Sequence, residues 1–161
     1  MARKKPVRRW VELQQPELPI LAGIPKNLCK RFGEGKLLIP SLEDVAAIIR
    51  SVPKGKLITE EVICGRMAKR HRAQAASPTI TAFLVRIVAY DAEAELAAGK
   101  KKVPPYWRVI GHDGNLNDKF PGGFLAQSKK LMLEGHALTG SKRAKEIPPR
   151  VDDFTKALVK L

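Results

Sequence analysis

The chain has 161 residues, 44% of them apolar, enough for one domain with a buried core. Against 16 Asp and Glu it carries 30 Lys and Arg, a formal charge of +14, which makes a polyanion, nucleic acid first, the expected partner. No apolar run approaches the roughly 18 residues of a membrane span, and two cysteines with three scattered histidines exclude a disulfide framework and a zinc motif.

The opening run Met1 to Arg9, with Arg3, Lys4, Lys5, Arg8 and Arg9, lacks the apolar core of a secretory signal. The expected location is therefore cytoplasmic, and nucleoid-associated if the source is prokaryotic. The run reads as a basic arm drawn to phosphates or as a solubilising tail. From Trp10 to Pro40, Pro16, Pro19, Pro25 and Pro40 interrupt short apolar pieces, which predicts an irregular extension wrapped on the core. Ser41 with Asp44 three residues on resembles a capping box, and Leu42, Val45, Ala46 and Ile49 recur at helical spacing, so a first helix is predicted over roughly 42–51. Val52-Pro53 ends it.

Thr59 is placed to cap a second helix, with Glu60 and Glu61 at its positive end and Arg66, Lys69, Arg70 and Arg72 crowding its negative end. Those four cations are candidate phosphate contacts; a solvated helix terminus is the plainer alternative. Cys64, among Val62, Ile63 and Met67, reads as a small core residue rather than a nucleophile, and Cys29 as an ordinary thiol. Ser77 and Pro78 form an N-cap and first-turn pair for a third helix to about Leu96. Ile80, Phe83, Leu84, Ile87 and Val88 are its expected buried face, which leaves Thr79, Thr81, Ala82, Val85 and Arg86 outward. Thr79, Thr81, Ala82 and Arg86 are then the residues nearest the bases if this helix enters a groove.

Lys100, Lys101 and Lys102 make a basic loop. Tyr106 to Ile110 alternates like a strand, turns at His112-Asp113-Gly114 and returns at Asn115 to Asn117, a candidate wing hairpin. Ser141 to Lys145 reads as a basic linker, and Val151, Phe154, Leu158 and Leu161 space a short amphipathic helix for docking on the domain or on a protein partner.

Three motifs, in order, carry a family resemblance: Val52-Pro53-Lys54-Gly55 leading to Thr59; Pro105-Tyr106-Trp107-Arg108-Val109; and Gly122-Gly123-Phe124 followed by a helix and Glu134-Gly135-His136. Together they resemble the DNA-binding, catalytic domain of the alkylguanine-DNA alkyltransferase family, over roughly Ile48 to Leu138. The resemblance implies a mainly α fold with a small β wing, a winged helix-turn-helix. It divides the chain into a basic arm and extension (1–40), the alkyltransferase-like domain (41–138), and a linker with a terminal helix (139–161). Tyr106 stands where the family keeps its alkyl-accepting Cys, and Trp107 where it keeps the activating His. Glu134 matches the Glu that orients that His. Glu60 and Ala82 fall at the positions of the family's phosphate-pressing Tyr and stack-filling Arg.

A phenol with an ordinary pKa near 10 is a poor substitute for a thiolate. The resemblance therefore implies a non-enzymatic, cofactor-free DNA-binding protein in which Tyr106, Trp107, Arg108, Phe120 and Glu134 mark what remains of the alkyl pocket. Double-stranded DNA is the expected partner, with lesion sensing in repair as the specific role. General or architectural DNA or RNA binding is the alternative.

Overall fold

The computed structural model describes residues 18–140 and 148–160. The basic arm 1–9 and the basic linker 141–145 lie outside the described residues. The architecture is mixed α/β, with helices outweighing small sheets.

The segment expected to be irregular forms β1 (Ile20–Gly23), α1 (Lys26–Phe32) and β2 (Lys36–Ile39). Its prolines bound elements rather than disrupt them: Pro25, extended at φ −58° and ψ 145°, is the N-cap of α1, and Pro40 follows β2. Strands β1 and β2 pair antiparallel from Ile20↔Ile39 to Gly23↔Lys36. On its other side β2 pairs in parallel with β4 (Ala75–Ala76), through Leu37↔Ala75 and Leu38↔Ala76. Both leucines are buried, because β2 is the central strand of this three-stranded sheet.

Helix α2 (Leu42–Arg50) starts at Ser41 with a reciprocal capping box: the Asp44 N–H donates to Ser41 Oγ at 3.1 Å, and the Ser41 N–H donates to the Asp44 carboxylate at 3.1 Å. Leu42, Val45, Ala46, Ile48 and Ile49 are buried. After β3 (Ile58–Thr59), Thr59 Oγ1 accepts from the Val62 N–H at 3.3 Å and opens α3 (Glu60–Arg70). Ser77 Oγ accepts from the Ile80 N–H at 3.4 Å and, with Pro78, opens α4 (Pro78–Ala97).

Helix α4 is turned relative to its expected orientation. Thr81 and Val85 are fully buried, whereas Ile80 and Phe83 are 36% and 37% exposed. Packing explains the rotation. Helix α4 is covered by α2, α3 and the Tyr106–Arg108 turn together, and its small residues Ala89 and Ala92 sit buried in line with Val85 and Val88. A helix covered from several directions buries a broad stripe, so the apolar residues at its rim go outward.

The expected strand Tyr106 to Ile110 is only half formed. Pro104 and Pro105 carry no N–H, and their carbonyls instead accept from Tyr106 and Arg108 at 2.8 and 3.1 Å, winding Tyr106–Arg108 into a 3-10 turn. What remains, β5 (Val109–Ile110), pairs in parallel with β3, through Ile58↔Val109 and Thr59↔Ile110. The turn expected at Gly114 closes, with the Gly111 N–H donating to Asn115 O at 2.9 Å, but the returning residues pair elsewhere: Asn115 bridges to Arg150, and the Leu116 N–H donates to Pro149 O.

Helix α5 (Gly123–Leu133) follows Gly122, which as N-cap adopts the left-handed φ of 74°. Then β6 (Leu138–Thr139) pairs antiparallel with β7 (Arg150–Val151), leading to the single turn α6 (Phe154–Ala157). The Phe154 face, a candidate site for a protein partner, packs within the chain instead. Its ring lies against Gly114, where a Cβ would come within 2.5 Å of Phe154 Cδ1, and Leu57 bonds to Ala157 O and Val159 N. Val151 is fully buried there with Leu57, Ile110, Leu116 and Leu131.

Candidate nucleic-acid interface

Two side-chain groups matter, the outward surface of α3 and α4 and the cluster around Tyr106. On α4, Thr79 is exposed, Ala82 and Arg86 are half-buried, and Thr81 is inaccessible to any base. This corrects the expectation for Thr81. Its hydroxyl lies beside the Cys64 thiol on α3 yet makes no hydrogen bond of ordinary geometry. The Arg86 guanidinium stands 5.8 Å from the Phe83 ring centroid, and its charge acts on Glu60 at the start of α3. Burial nonetheless dominates Glu60 and holds its carboxyl above the usual range.

At the far end of α3, Lys69, Arg70 and Arg72 are exposed, next to the turn into α4. Arg66 is half-buried and committed elsewhere, donating to Lys160 O at 2.6 Å. Lys100, Lys101 and Lys102 are exposed as well, with Lys100 paired to Glu95 at 3.0 Å. They follow the C-terminus of α4, whose 20 residues span about 30 Å at 1.5 Å per residue. The two basic groups are therefore separate patches. Arg31, which sequence spacing could not associate with α3, is close enough for its charge to act on Cys64. Cys64 itself is half-buried. Burial raises its thiol above the ordinary value, Glu60 and Glu61 add to this, and the Thr81 and Arg31 effects offset only part of it.

The second group is assembled by α4, α5 and the Tyr106–Arg108 turn. Tyr106 is fully buried, edge-on to Trp107 at 5.4 Å and to Phe120 at 5.3 Å between centroids. Its hydroxyl donates to Glu93 Oε1 at 2.7 Å, and Lys130 Nζ sits 3.2 Å from the same oxygen and 4.9 Å from the Trp107 ring centroid. Burial, then the Glu93 hydrogen bond and charge, push the phenol far above its ordinary value. Such a hydroxyl keeps its proton and offers no nucleophile.

Glu134, the C-cap of α5, ties three segments together. It accepts from Trp107 Nε1 at 2.9 Å, from Arg108 Nη2 at 2.7 Å and Nε at 3.0 Å, and from the Gly55 N–H at 3.4 Å. The other Arg108 nitrogen, Nη1, donates to Val52 O. Burial acts to raise the Glu134 pKa, but the Arg108 and Trp107 hydrogen bonds and the Arg108 charge outweigh it and hold the carboxyl below its usual range. Burial also lowers His136, whose Nε2 is enclosed without a hydrogen-bond partner.

Sequence reasoning missed Glu93, Lys130 and Gln127. Gln127 is fully buried; it donates to Trp107 O and Val109 O and accepts from the Asn117 N–H. Glu93 lies four residues beyond buried Ala89, and Gln127 four before buried Leu131. Polar residues on those buried stripes were the available signal.

No helix among the described residues is long and apolar enough to cross a membrane. No protein-family model matches the chain, and no curated protein matches it in sequence. Among solved structures, the chain is similar to S. pombe Atl1, captured in a crystal structure in complex with damaged DNA containing O6-carboxymethylguanine, at 16% identity and a TM-score of 0.47, over 74% of this chain and 94% of that one.

Proposed function

We propose that the chain is a non-enzymatic DNA-binding protein of the alkyltransferase-like kind, with its binding surface in residues 41–138 and α3 and α4 acting as a helix-turn-helix. The observation that carries the non-enzymatic part is the state of Tyr106. The position that the motif resemblance gives to an activated thiol holds a buried phenol, bonded to Glu93 and far from ionisation. Trp107 occupies the place of the activating base, and its indole N–H satisfies Glu134 in place of an imidazole.

The DNA-binding part is supported by the formal charge of +14, by the exposed Lys69, Arg70 and Arg72 beside the turn between α3 and α4, and by the exposed start of α4. Thr79, Ala82 and Arg86 are the α4 residues assigned to the DNA surface, and Lys100 to Lys102 a separate phosphate contact. Lesion recognition is the specific form of this reading. General duplex binding is the second reading, favoured by Glu60 and Ala82 standing where the family keeps its flipping Tyr and Arg.

Binding of a labelled duplex, with and without a single O6-alkylguanine, followed by anisotropy at two salt concentrations, separates these. Tighter binding of the lesion duplex supports the sensor; equal affinity with a steep salt dependence supports the general binder. A structured RNA that displaces the duplex at equimolar ratio overturns the assignment of DNA as partner. Incubation with the alkylated duplex leaves the protein mass unchanged, and an alkyl adduct would refute the non-enzymatic assignment.

A further inference from the structure

The extension ahead of α2 is basic where it meets the turn between α3 and α4. Residues 18–40 carry Lys26, Lys30, Arg31 and Lys36 against a single acid, Glu34; all five are exposed, and no ion pair engages them among the described residues. Gln74, just ahead of β4, fixes this unit in place: its Nε2 donates to Phe32 O at 3.0 Å and its N–H donates to Lys36 O at 2.9 Å. The loop between those carbonyls closes on the same side chain, since a Cβ at Gly35 would lie 2.9 Å from Gln74 Cβ. Lys30 and Arg31 thus stand in the last turn of α1, immediately before the carbonyl that Gln74 holds, and Arg72 lies two residues before Gln74. Arg72 takes a left-handed φ of 54° just past the end of α3, where glycine fits with least strain, so a cation is kept there at a conformational cost. Exposed cations gathered from α1, β2 and the end of α3 repel one another, and a polyanion lying across them removes that repulsion.

We propose that the end of α1 and the start of β2, through Lys30, Arg31 and Lys36, bind the DNA backbone beside the phosphates assigned to Lys69, Arg70 and Arg72, so that the extension is part of the DNA-binding surface. This rests on the DNA-binding reading above. Phosphate contacts carry no base information, so the extension adds the same affinity on plain and lesion duplexes. The clamp at Gln74 holds its cations in fixed register with α3, which spares the ordering cost that a loose basic tail incurs on binding.

The test is the salt dependence of binding to a labelled duplex, plain or carrying one O6-alkylguanine. Joint replacement of Lys30, Arg31 and Lys36 by Ala should flatten the slope of log affinity against log salt by roughly 2 to 3, by the same amount on both duplexes. Joint replacement of Lys129, Arg150 and Lys156, exposed cations of α5, β7 and α6, lowers the net charge equally and should leave the slope within about 1 of wild type. Thermal unfolding of each variant establishes that it is folded; if the Ala variant of the extension is not, the same three positions changed to Gln serve in its place. A wild-type slope in the extension variant overturns the contact. So does an equal flattening in both variants, which would mean that net charge alone is felt. Either result leaves DNA binding intact, whereas wild-type protein that binds neither duplex overturns the DNA-binding reading and this surface with it.

Discussion

Replacing Glu134 by Ala would be felt in three segments at once. The Glu134 side chain is only 8% exposed and the Arg108 side chain 12%, so the change leaves a buried guanidinium with one carbonyl partner, Val52 O. Removing one member of a buried ion pair costs about 3 to 5 kcal/mol. The indole N–H of Trp107 and the N–H of Gly55 lose their acceptor as well. For a chain of this size a loss of that order lowers Tm by roughly 6 to 20 °C, at about 2 to 4 °C per kcal/mol. Urea unfolding followed by Trp fluorescence gives the free energy directly. Joint replacement of Glu134 by Leu and Arg108 by Met should cost less than Glu134→Ala alone, because no charge is left stranded. A single-variant loss below about 1 kcal/mol would show that water reaches Arg108, and the idea that Glu134 serves structure here would fail.

The remaining predictions bear on neighbouring groups. Tyr106→Phe removes one hydrogen bond while Lys130 still partners Glu93; it should cost about 1 kcal/mol in unfolding and leave duplex affinity unchanged. Cys64 should react with a disulfide reagent at pH 8 more slowly than free glutathione and reach the glutathione rate in denaturant, since burial holds its thiol above the ordinary value. For Asp44, burial acts to raise the carboxyl, but hydrogen bonds from Ser41 and His71 and the His71 charge outweigh it, so the folded-state pKa lies below the unfolded one. Its stabilising contribution is thus complete above an unfolded pKa near 3.9 and is lost as pH falls through the lower folded value; Asp44→Asn should flatten the drop in unfolding free energy between pH 5 and about 2. Finally, converting Lys69, Arg70 and Arg72 to Ala should reduce the slope of log affinity against log salt by roughly 2 to 3, with unfolding unchanged. An unaltered slope would remove that patch from the interface.

The parts of this protein legible in its sequence are those whose partners lie within a few residues. Ser41 with Asp44, Thr59 with Val62 and Ser77 with Ile80 each close a bond three residues away, so the starts of α2, α3 and α4 followed from residue type and spacing. The proposed replacement of a thiol and its base by Tyr106 and Trp107 likewise rests on the sequence, since it needs only the motif around Pro105 and Arg108 and the resemblance it carries. What depends on distant partners was decided by the tertiary structure. Leu37 becomes central-strand backbone only because Ala75 arrives beside it. The Tyr106 hydroxyl finds Glu93, and Glu134 finds Arg108 and Gly55, across separations that no local pattern encodes. The direction in which α4 faces follows the same logic. Apolar spacing told that Ile80, Phe83, Leu84, Ile87 and Val88 share a helix, but the helices covering it determined that Ile80 and Phe83 reach water while Thr81 and Val85 are buried.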